Sequence, residues 1–183
     1  MARVLVPLAE GCEELEAVTI IDLLRRAEVE VVTAGLRPGP VRASRGTVLV
    51  PDVTLDQVLE QDFDLIALPG GLPGADHLAQ DERLLALLRA HAERGRYTAA
   101  ICAGPKVLAR AGLLDGRRAT CFPGALDQDA GGAALTDEPV VVDGRVITSK
   151  GPGTAMDFAL TLIEQLVGRD RRERVEGALQ RAA

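Results

Sequence analysis

Buried strands and amphipathic helices alternate along this chain. Runs rich in Val, Leu and Ile predict strands covered on both faces, whereas apolar residues spaced three or four apart predict helices. The first pair is a strand over Arg3–Leu8 and a helix over Glu13–Ala27. Further strands are predicted at residues 29–34, 64–68 and 97–101, and helical segments at residues 55–59, 82–92, 103–110, 154–167 and 171–179. This alternation predicts an α/β fold with a mostly parallel sheet between two layers of helices.

Shorter β segments complete the pattern. Residues 41–50 are predicted to form a hairpin that bends at Arg45–Gly46, and residues 118–121 a short strand. Residues 140–148 carry Asp143–Gly144 between β-rich arms, and this dipeptide favours the tight turn of a hairpin. The chain contains no linker, repeat or low-complexity tract, so we expect a single domain over residues 1–183.

Composition excludes several classes of function. Hydrophobic residues make up 47% of the chain but aromatic residues only 2%, so the core is expected to be aliphatic. The net charge of -6, and the lack of a basic stripe interleaved with aromatic residues, argue against a nucleic-acid partner. The basic run at residues 169–174 is interrupted by acids, which is typical of a solvated helix face.

No membrane, metal or disulfide chemistry is expected from the sequence. The N-terminal apolar run is too short for a signal peptide, and no segment approaches the length that crosses a bilayer. Cys12, Cys102 and Cys121 are far apart and form no CxxC pair, which makes a poor disulfide framework and a poor zinc site. We therefore expect a cytoplasmic protein that holds no metal.

Cys102 stands where a predicted strand passes into a predicted helix. The apolar run at residues 97–101 precedes it, and Ala103, Gly104 and Pro105 follow, with the proline in the first helical turn. A nucleophile on such a sharp turn is exposed on a strained backbone, and the helix N–H groups favour its thiolate form. The alternative is a small buried residue that caps the strand. We favour a reactive cysteine.

Glu16 is the candidate acid. Glu13 and Glu14 are explained by the preference for acids in the first turn of a helix. Glu16 differs in phase, because it lies three residues after Glu13 and four after Cys12, and it can point back over the strand ends. A carboxyl group beside Cys102 in a partly dry pocket has a raised pKa and can shuttle a proton. Pattern alone leaves this role and a purely structural one equally open.

Gly70 and Gly71 follow the predicted strand at residues 64–68. Taken alone, they indicate a tight turn. Beside a nucleophile, the N–H groups of Gly71 and Ala103 are candidates for an oxyanion hole. The loop at residues 149–154 is a structural connection at the edge of the same pocket. We place both His77 and His91 at the periphery, so Cys102 has no obvious histidine base.

Four segments in order make the chain resemble the DJ-1/ThiJ/PfpI superfamily, in its DJ-1 and bacterial ThiJ-like branch. The resemblance covers roughly residues 3–180 and rests on residues 13–16, 68–71, 99–105 and 149–154. It implies a flavodoxin-like three-layer α/β/α sandwich that forms a homodimer. It also implies site roles: Cys102 as nucleophile, Glu16 as its protonated partner, Gly70, Gly71 and Ala103 as substrate-binding or oxyanion positions, and Arg45 and Arg26 near an anion site or the dimer seam.

The activity implied by the resemblance is a cofactor-independent conversion of α-oxoaldehydes. Methylglyoxal would become lactate, or glyoxal-derived groups would be released from proteins or nucleotides, with protection against stress as the outcome. The alternative is a cysteine-based sensor of oxidative stress, or a redox-regulated chaperone, without significant turnover. Phe122 stands where many members carry a histidine, which argues against a histidine-assisted mechanism. Ala103 stands where the protease branch has a histidine, which argues against peptidase activity.

Overall fold

A computed structural model describes residues 1–127 and 130–181. Its strands are β1 Arg3–Leu8, β2 Glu30–Gly35, β3 Val41–Arg42, β4 Val48–Leu49, β5 Val53–Thr54, β6 Leu65–Leu68, β7 Tyr97–Ile101, β8 Arg118–Ala119, β9 Ala134–Leu135, β10 Val140–Asp143 and β11 Val146–Ser149. Its helices are α1 Glu14–Arg26, α2 Gly74–Gln80, α3 Glu82–Glu93, α4 Pro105–Arg110, α5 Ala155–Val167 and α6 Arg169–Ala178. Short 3-10 turns lie at Leu55–Val58, Ala130–Gly132 and Pro152–Thr154.

Seven strands form the central sheet in the order β10-β11-β7-β6-β1-β2-β5. All neighbours in it are parallel except β10 and β11, which form an antiparallel hairpin. The longest pairing joins β1 to β2, from Arg3 opposite Glu30 to Leu8 opposite Gly35. The predicted mostly parallel α/β sheet is therefore confirmed.

Alternation of side chains along the strands divides the core into two halves. Val4 and Val6 of β1 pack into a cluster that includes Phe158 of α5. Leu5, which points to the opposite face, joins a cluster that includes Leu84 of α3. Because both faces of the sheet are covered by helices, the strand is apolar at every one of these positions. This is the three-layer arrangement expected from the sequence.

Two details of the fold differ from the sequence prediction. Helix α2 begins at Gly74, directly after Pro73, in a stretch where the sequence predicts no helix. The strand predicted at residues 118–121 is shorter, since β8 spans only Arg118–Ala119, and it pairs with β9 outside the central sheet.

Within the described residues, no helix combines the length and the apolarity needed to cross a membrane.

The predicted surface position of His91 is wrong. Its side chain is only 6% exposed, and its Nε2 lies 2.9 Å from the carbonyl oxygen of Tyr97. His91 shares the buried face of α3 with Leu84 and Leu88, which precede it at helical spacing. Burial lowers its pKa, so the ring is neutral at neutral pH and Nε2–H donates to the Tyr97 carbonyl.

Candidate active site

Three strand–helix junctions meet at the carboxyl edge of the sheet. Glu16 follows β1, Gly70 and Gly71 follow β6, and Cys102 follows β7. These three strands are parallel neighbours, although their sequences are far apart. From β1 the chain winds outward to β2 and β5, and then returns past β1 to β6 and β7. Such a change of winding direction opens a crevice at the strand ends, where ligands bind in open α/β sheets.

Cys102 occupies a bend that few side chains adopt. Its φ is 64°, in the left-handed region. Hydrogen bonds on both sides hold this backbone, since the N–H of Cys102 donates to Ser149 at 2.9 Å and the carbonyl of Cys102 accepts from the N–H of Phe122 at 2.9 Å. The side chain is 8% exposed, so only a small part of it faces the crevice.

Glu16 is fully buried beside this bend. Its Oε2 accepts a hydrogen bond of 2.8 Å from the N–H of Gly70, whereas its Oε1 is buried without a partner among the described residues. Burial raises the pKa of Glu16 to about 7, and hydrogen bonds from Gly70 and from the Cys102 thiol oppose this rise. The raised pKa is in the direction that the sequence suggested.

The sulfur of Cys102 behaves differently from the sequence expectation. Burial, followed by the charge of an ionised Glu16 and the hydrogen bond to it, raises the pKa of Cys102 to about 12. The N–H groups of Gly71 and Ala103 lower the pKa, but they do not outweigh these effects. Two negative charges in one buried pocket repel each other, so at least one of the two groups stays protonated. A thiolate therefore requires the proton to reside on Glu16.

Glycine is required at residue 70 by close approach. A Cβ atom at this position would lie 2.7 Å from Cβ of Cys102, and 2.8 Å from both the amide nitrogen of Ala103 and Oε2 of Glu16. Gly71 has a φ of 83°, a backbone conformation that residues with a side chain rarely adopt. In this conformation its N–H group donates toward the sulfur of Cys102. The two amides proposed from the sequence, of Gly71 and Ala103, thus both face Cys102.

Arg45 and Arg26, the two candidate arginines, lie in different parts of the fold. Arg45 is exposed in the β3–β4 turn, and its backbone N–H lies 3.0 Å and 3.1 Å from the two carboxylate oxygens of Glu14. Arg26 lies in the last turn of α1, about 15 Å along the helix axis from Glu16. There it pairs with Asp22 at 2.6 Å. The structure does not bring Arg26 to Cys102, and its place at a dimer seam stays a prediction.

Glu14 has a role that sequence reasoning missed. Its carboxylate accepts hydrogen bonds from the backbone of Arg45 and Thr47 and from the hydroxyl of Ser44. Although burial raises its pKa, backbone N–H groups, including those of Arg45 and Thr47, lower the pKa of Glu14 to about 2. Glu14 therefore anchors the β3–β4 hairpin to the start of α1. Its partners are about thirty residues away, and no local pattern points to them.

The other candidates stand outside this cluster. Cys12 is fully buried, and burial raises its pKa to about 11. Cys121 is half-buried, and burial raises its pKa as well. His77 Nδ1 lies 2.9 Å from the carbonyl oxygen of Glu10. Within residues 1–127 and 130–181, no three His, Cys, Asp or Glu side chains are grouped so as to hold a metal ion.

Comparison with known proteins finds a family match over most of the chain. A model of the DJ-1/PfpI family matches residues 2–165. Protein DJ-1 homolog B of Arabidopsis thaliana is 45% identical over 176 residues, which cover 92% of this chain but only 39% of that longer protein. The glutathione-independent glyoxalase DJR-1.2 of Caenorhabditis elegans is 41% identical over 171 residues, covering 93% of this chain and 90% of the relative. The solved structure of oxidized Toxoplasma gondii DJ-1 matches with a TM-score of 0.93 and 39% identity, covering both chains completely.

Proposed function

Because the chain belongs to the DJ-1/PfpI family, we propose that it is a cofactor-independent enzyme that converts α-oxoaldehydes, with Cys102 as nucleophile and Glu16 as proton carrier. The observation that carries this proposal is the fully buried Glu16 carboxyl group, which accepts a hydrogen bond from the N–H of Gly70 and borders the same glycine as Cys102 does. The name of the nematode relative, a glutathione-independent glyoxalase, supports the same class of substrate.

The first step forms a carbon–sulfur bond. The proton of the Cys102 thiol passes to Glu16, and the sulfur attacks the aldehyde carbon of methylglyoxal. The carbonyl π electrons move onto the aldehyde oxygen, which the N–H groups of Gly71 and Ala103 stabilise as it becomes negative. Glu16 then returns its proton to this oxygen. The product is a hemithioacetal on Cys102, next to an ionised Glu16.

The second step moves hydrogen between adjacent carbons. The Glu16 carboxylate removes the proton from the carbon bound to sulfur and delivers it to the former ketone oxygen as a carbon–carbon double bond forms, which gives an enediol. Glu16 then takes the proton of the first hydroxyl and delivers it to the second carbon, which leaves a 2-hydroxyacyl thioester on Cys102. Water cleaves this thioester to lactate and the free thiol. The sum is methylglyoxal plus water giving lactic acid, with no oxidant or reductant.

The test measures lactate formed from methylglyoxal without added thiol. We expect no measurable turnover for Cys102→Ser, and for Glu16→Gln a fall in kcat of roughly 100-fold to 10,000-fold, as is typical for loss of a general acid–base group. Cys121→Ser, a matched change outside the cluster, keeps the wild-type rate. Equal turnover in the wild type and in both site variants would remove the proposal.

The same adduct chemistry extends to release of glyoxal-derived groups from amines and thiols. A hemithioacetal or hemiaminal exists in equilibrium with free aldehyde, so consumption of the aldehyde alone drives its disappearance. The two reactions separate when the decay of a preformed adduct is compared with its uncatalysed dissociation. Decay faster than dissociation establishes direct release, whereas equal rates assign the activity to the free aldehyde.

A cysteine-based sensor of oxidation is the alternative function. The geometry that favours it is the ring of donors around the sulfur, since the N–H groups of Gly71 and Ala103 and a protonated Glu16 would hold the oxygens of a sulfinic acid. The match to an oxidized DJ-1 structure supports the same chemistry. A mass gain of two oxygens at Cys102 under mild peroxide, with negligible turnover of methylglyoxal, would favour the sensor. Earlier oxidation of Cys12 or Cys121 would count against it.

A homodimer is the expected assembly. Leu15 and Val18 on α1 are 50% and 46% exposed, and Val48 and Val50 at the β3–β4 hairpin are 50% and 77% exposed. Glu14 ties these two elements together, so their apolar side chains lie on neighbouring elements. Light scattering of the wild type and of Val50→Asp tests the proposal, with a dimer expected for the former and a shift toward monomer for the latter.

A further inference from the structure

One ion pair bridges two of the helices that leave the candidate active site, α2 and α4. Lys106 Nζ on α4 lies 2.6 Å from Asp76 Oδ1 on α2. The two side chains are 29% and 42% exposed, so the pair is partly shielded from water. Half-exposed ion pairs contribute little to global stability, so we consider what this pair does to the segments next to it.

Each partner of this pair lies at the end of, or directly after, a helical turn that begins at Gly71 or at Ala103. The carbonyl of Gly71 accepts from the N–H of Ala75 at 2.9 Å, which closes the turn that leads directly to Asp76. The carbonyl of Ala103 accepts from the N–H of Lys106 at 3.3 Å. The ion pair is therefore linked, through one turn on each side, to the two residues, Gly71 and Ala103, whose N–H groups face the sulfur of Cys102.

We propose that the Lys106–Asp76 ion pair is a positioning device that sets the separation of the Gly71 and Ala103 N–H groups, and so the reactivity of Cys102. The inference deepens the proposed function, since it rests on Cys102 acting as a nucleophile. Two N–H groups stabilise one anion only when both lie within hydrogen-bonding distance, so a small displacement of either loop weakens both the thiolate and the later oxyanion.

Charge alone makes a different prediction from positioning. Removal of Lys106 leaves an unpaired negative charge on Asp76, which opposes thiolate formation, whereas removal of the Asp76 charge leaves an unpaired positive charge on Lys106, which favours it. A purely electrostatic role thus gives opposite effects for the two changes. Positioning gives the same effect for both, because either change breaks the bridge between the loops.

The test measures alkylation of Cys102 by iodoacetamide in the full chain, followed by mass spectrometry of the Cys102 peptide across pH. We expect Lys106→Met and Asp76→Asn each to slow alkylation by about tenfold, a smaller loss than complete removal of an oxyanion donor causes. Lys106→Arg, which keeps the charge and the reach, restores the wild-type rate. Arg94→Met serves as the matched control, because it breaks an exposed ion pair with Asp62 instead.

Two outcomes would overturn the inference: unchanged alkylation in both single variants, or opposite changes in the two. Alkylation needs no aldehyde substrate, so these results stand whether or not methylglyoxal is turned over. Thermal unfolding followed by circular dichroism confirms that each variant is folded. If a single variant fails to fold, the exchanged pair Asp76→Lys with Lys106→Asp provides the test, and we expect it to alkylate faster than the single variant that does fold.

Discussion

The Glu16 carboxylate and the N–H of Gly70 are joined by a hydrogen bond of 2.8 Å, although the two residues are 54 positions apart. Gly70 also borders Cys102 so closely that no side chain fits between them. One loop thus holds the acid with its own N–H, leaves room for the nucleophile, and continues into the Gly71 N–H that faces the sulfur. Changes in this loop are therefore expected to alter the acid and the thiol together.

Gly70→Ala tests this close approach. The added methyl group would lie 2.7 Å from Cβ of Cys102, so the bend or the loop must move. We expect alkylation of Cys102 to slow by about 100-fold, the scale on which displacement of a reacting group by about 1 Å acts. The measurement is the iodoacetamide rate at Cys102, with circular dichroism to confirm folding.

Gly177→Ala is the matched control for that experiment. Gly177 is exposed on α6, and a Cβ there meets nothing within 4 Å. We expect unchanged reactivity and a gain in stability of roughly 0.5–1 kcal/mol, since alanine is the better helix former. Equal reactivity in Gly70→Ala and Gly177→Ala would contradict the close-approach argument.

Glu16→Gln is expected to change how stability depends on pH. Burial raises the pKa of Glu16 from 4.5 to about 7, so the folded state binds this proton more tightly than the unfolded state does. The resulting stabilisation is complete below about 4.5 and is lost as the pH rises through about 7. The shift corresponds to roughly 3 kcal/mol.

The measurement is the free energy of urea unfolding of both proteins, obtained by linear extrapolation, between about pH 4.5 and 8, a range that includes the ordinary and the raised pKa of Glu16. The free energy of unfolding of the wild type should fall relative to that of Glu16→Gln as the pH rises. For Glu82→Gln, a control change at an exposed position of α3, the free energy of unfolding should depend on pH as it does in the wild type. If the free energy of unfolding of Glu16→Gln also showed the pH dependence of the wild type, the pKa of Glu16 would not be raised in the folded protein.

Glu14→Gln tests the anchor of the β3–β4 hairpin. Its carboxylate accepts from the backbone N–H groups of Arg45 and Thr47, so we expect these amides to exchange with solvent roughly tenfold faster in the variant. Hydrogen exchange at single-residue resolution provides the measurement. Glu93→Gln, on the exposed side of α3, should leave both rates unchanged.

The pH dependence at Glu14 has the opposite sign to that at Glu16. The backbone N–H groups lower the pKa of Glu14 from 4.5 to about 2, although burial acts against them. Its contribution to stability is present above about 4.5 and is lost as the pH falls toward about 2. The difference between the wild type and Glu14→Gln should therefore shrink over this range, and a constant difference would contradict the anchor.

His91→Gln tests the buried histidine. Burial lowers its pKa below the ordinary 6.5, so its contribution to stability is present above that value and is lost as the pH falls. Glutamine still offers an N–H to the carbonyl of Tyr97 but carries no titratable group. Unfolding curves between about pH 5 and 8, which bracket the ordinary histidine pKa, should show a weaker loss of stability in acid for the variant. An identical loss in both proteins would place the titrating group elsewhere.

The regular part of the fold could be predicted because its signals are local. The strand over Arg3–Leu8 is apolar at nearly every position, which only a sheet covered on both faces requires. Helix α2 escaped prediction because Pro73–Gly74 is equally typical of a turn. His91 was misplaced because the charged residues Glu93 and Arg94 follow it and indicate an exposed segment. Its helical spacing from Leu84 and Leu88 identifies the buried face instead.

The candidate site could be predicted only in part, for a different reason. The helical phase of Glu16 indicated its direction, and the Gly70–Gly71 pair indicated a close approach. The pKa of Cys102 depends on repulsion between two groups from different junctions, and the role of Glu14 depends on a hairpin far along the chain. Such relationships arise from tertiary structure and leave no pattern in either local sequence.

The order β7-β6-β1 at the centre of the sheet has a consequence for folding studies. Cys102, its amide donors and its acid come from three separate segments, and they meet only after these strands have assembled. A fragment beginning after Leu36 would keep Cys102 and α4 but lack Glu16, and its sulfur would react as an ordinary peptide thiol. Reactivity of this one atom is thus a built-in reporter of when the middle of the protein is complete.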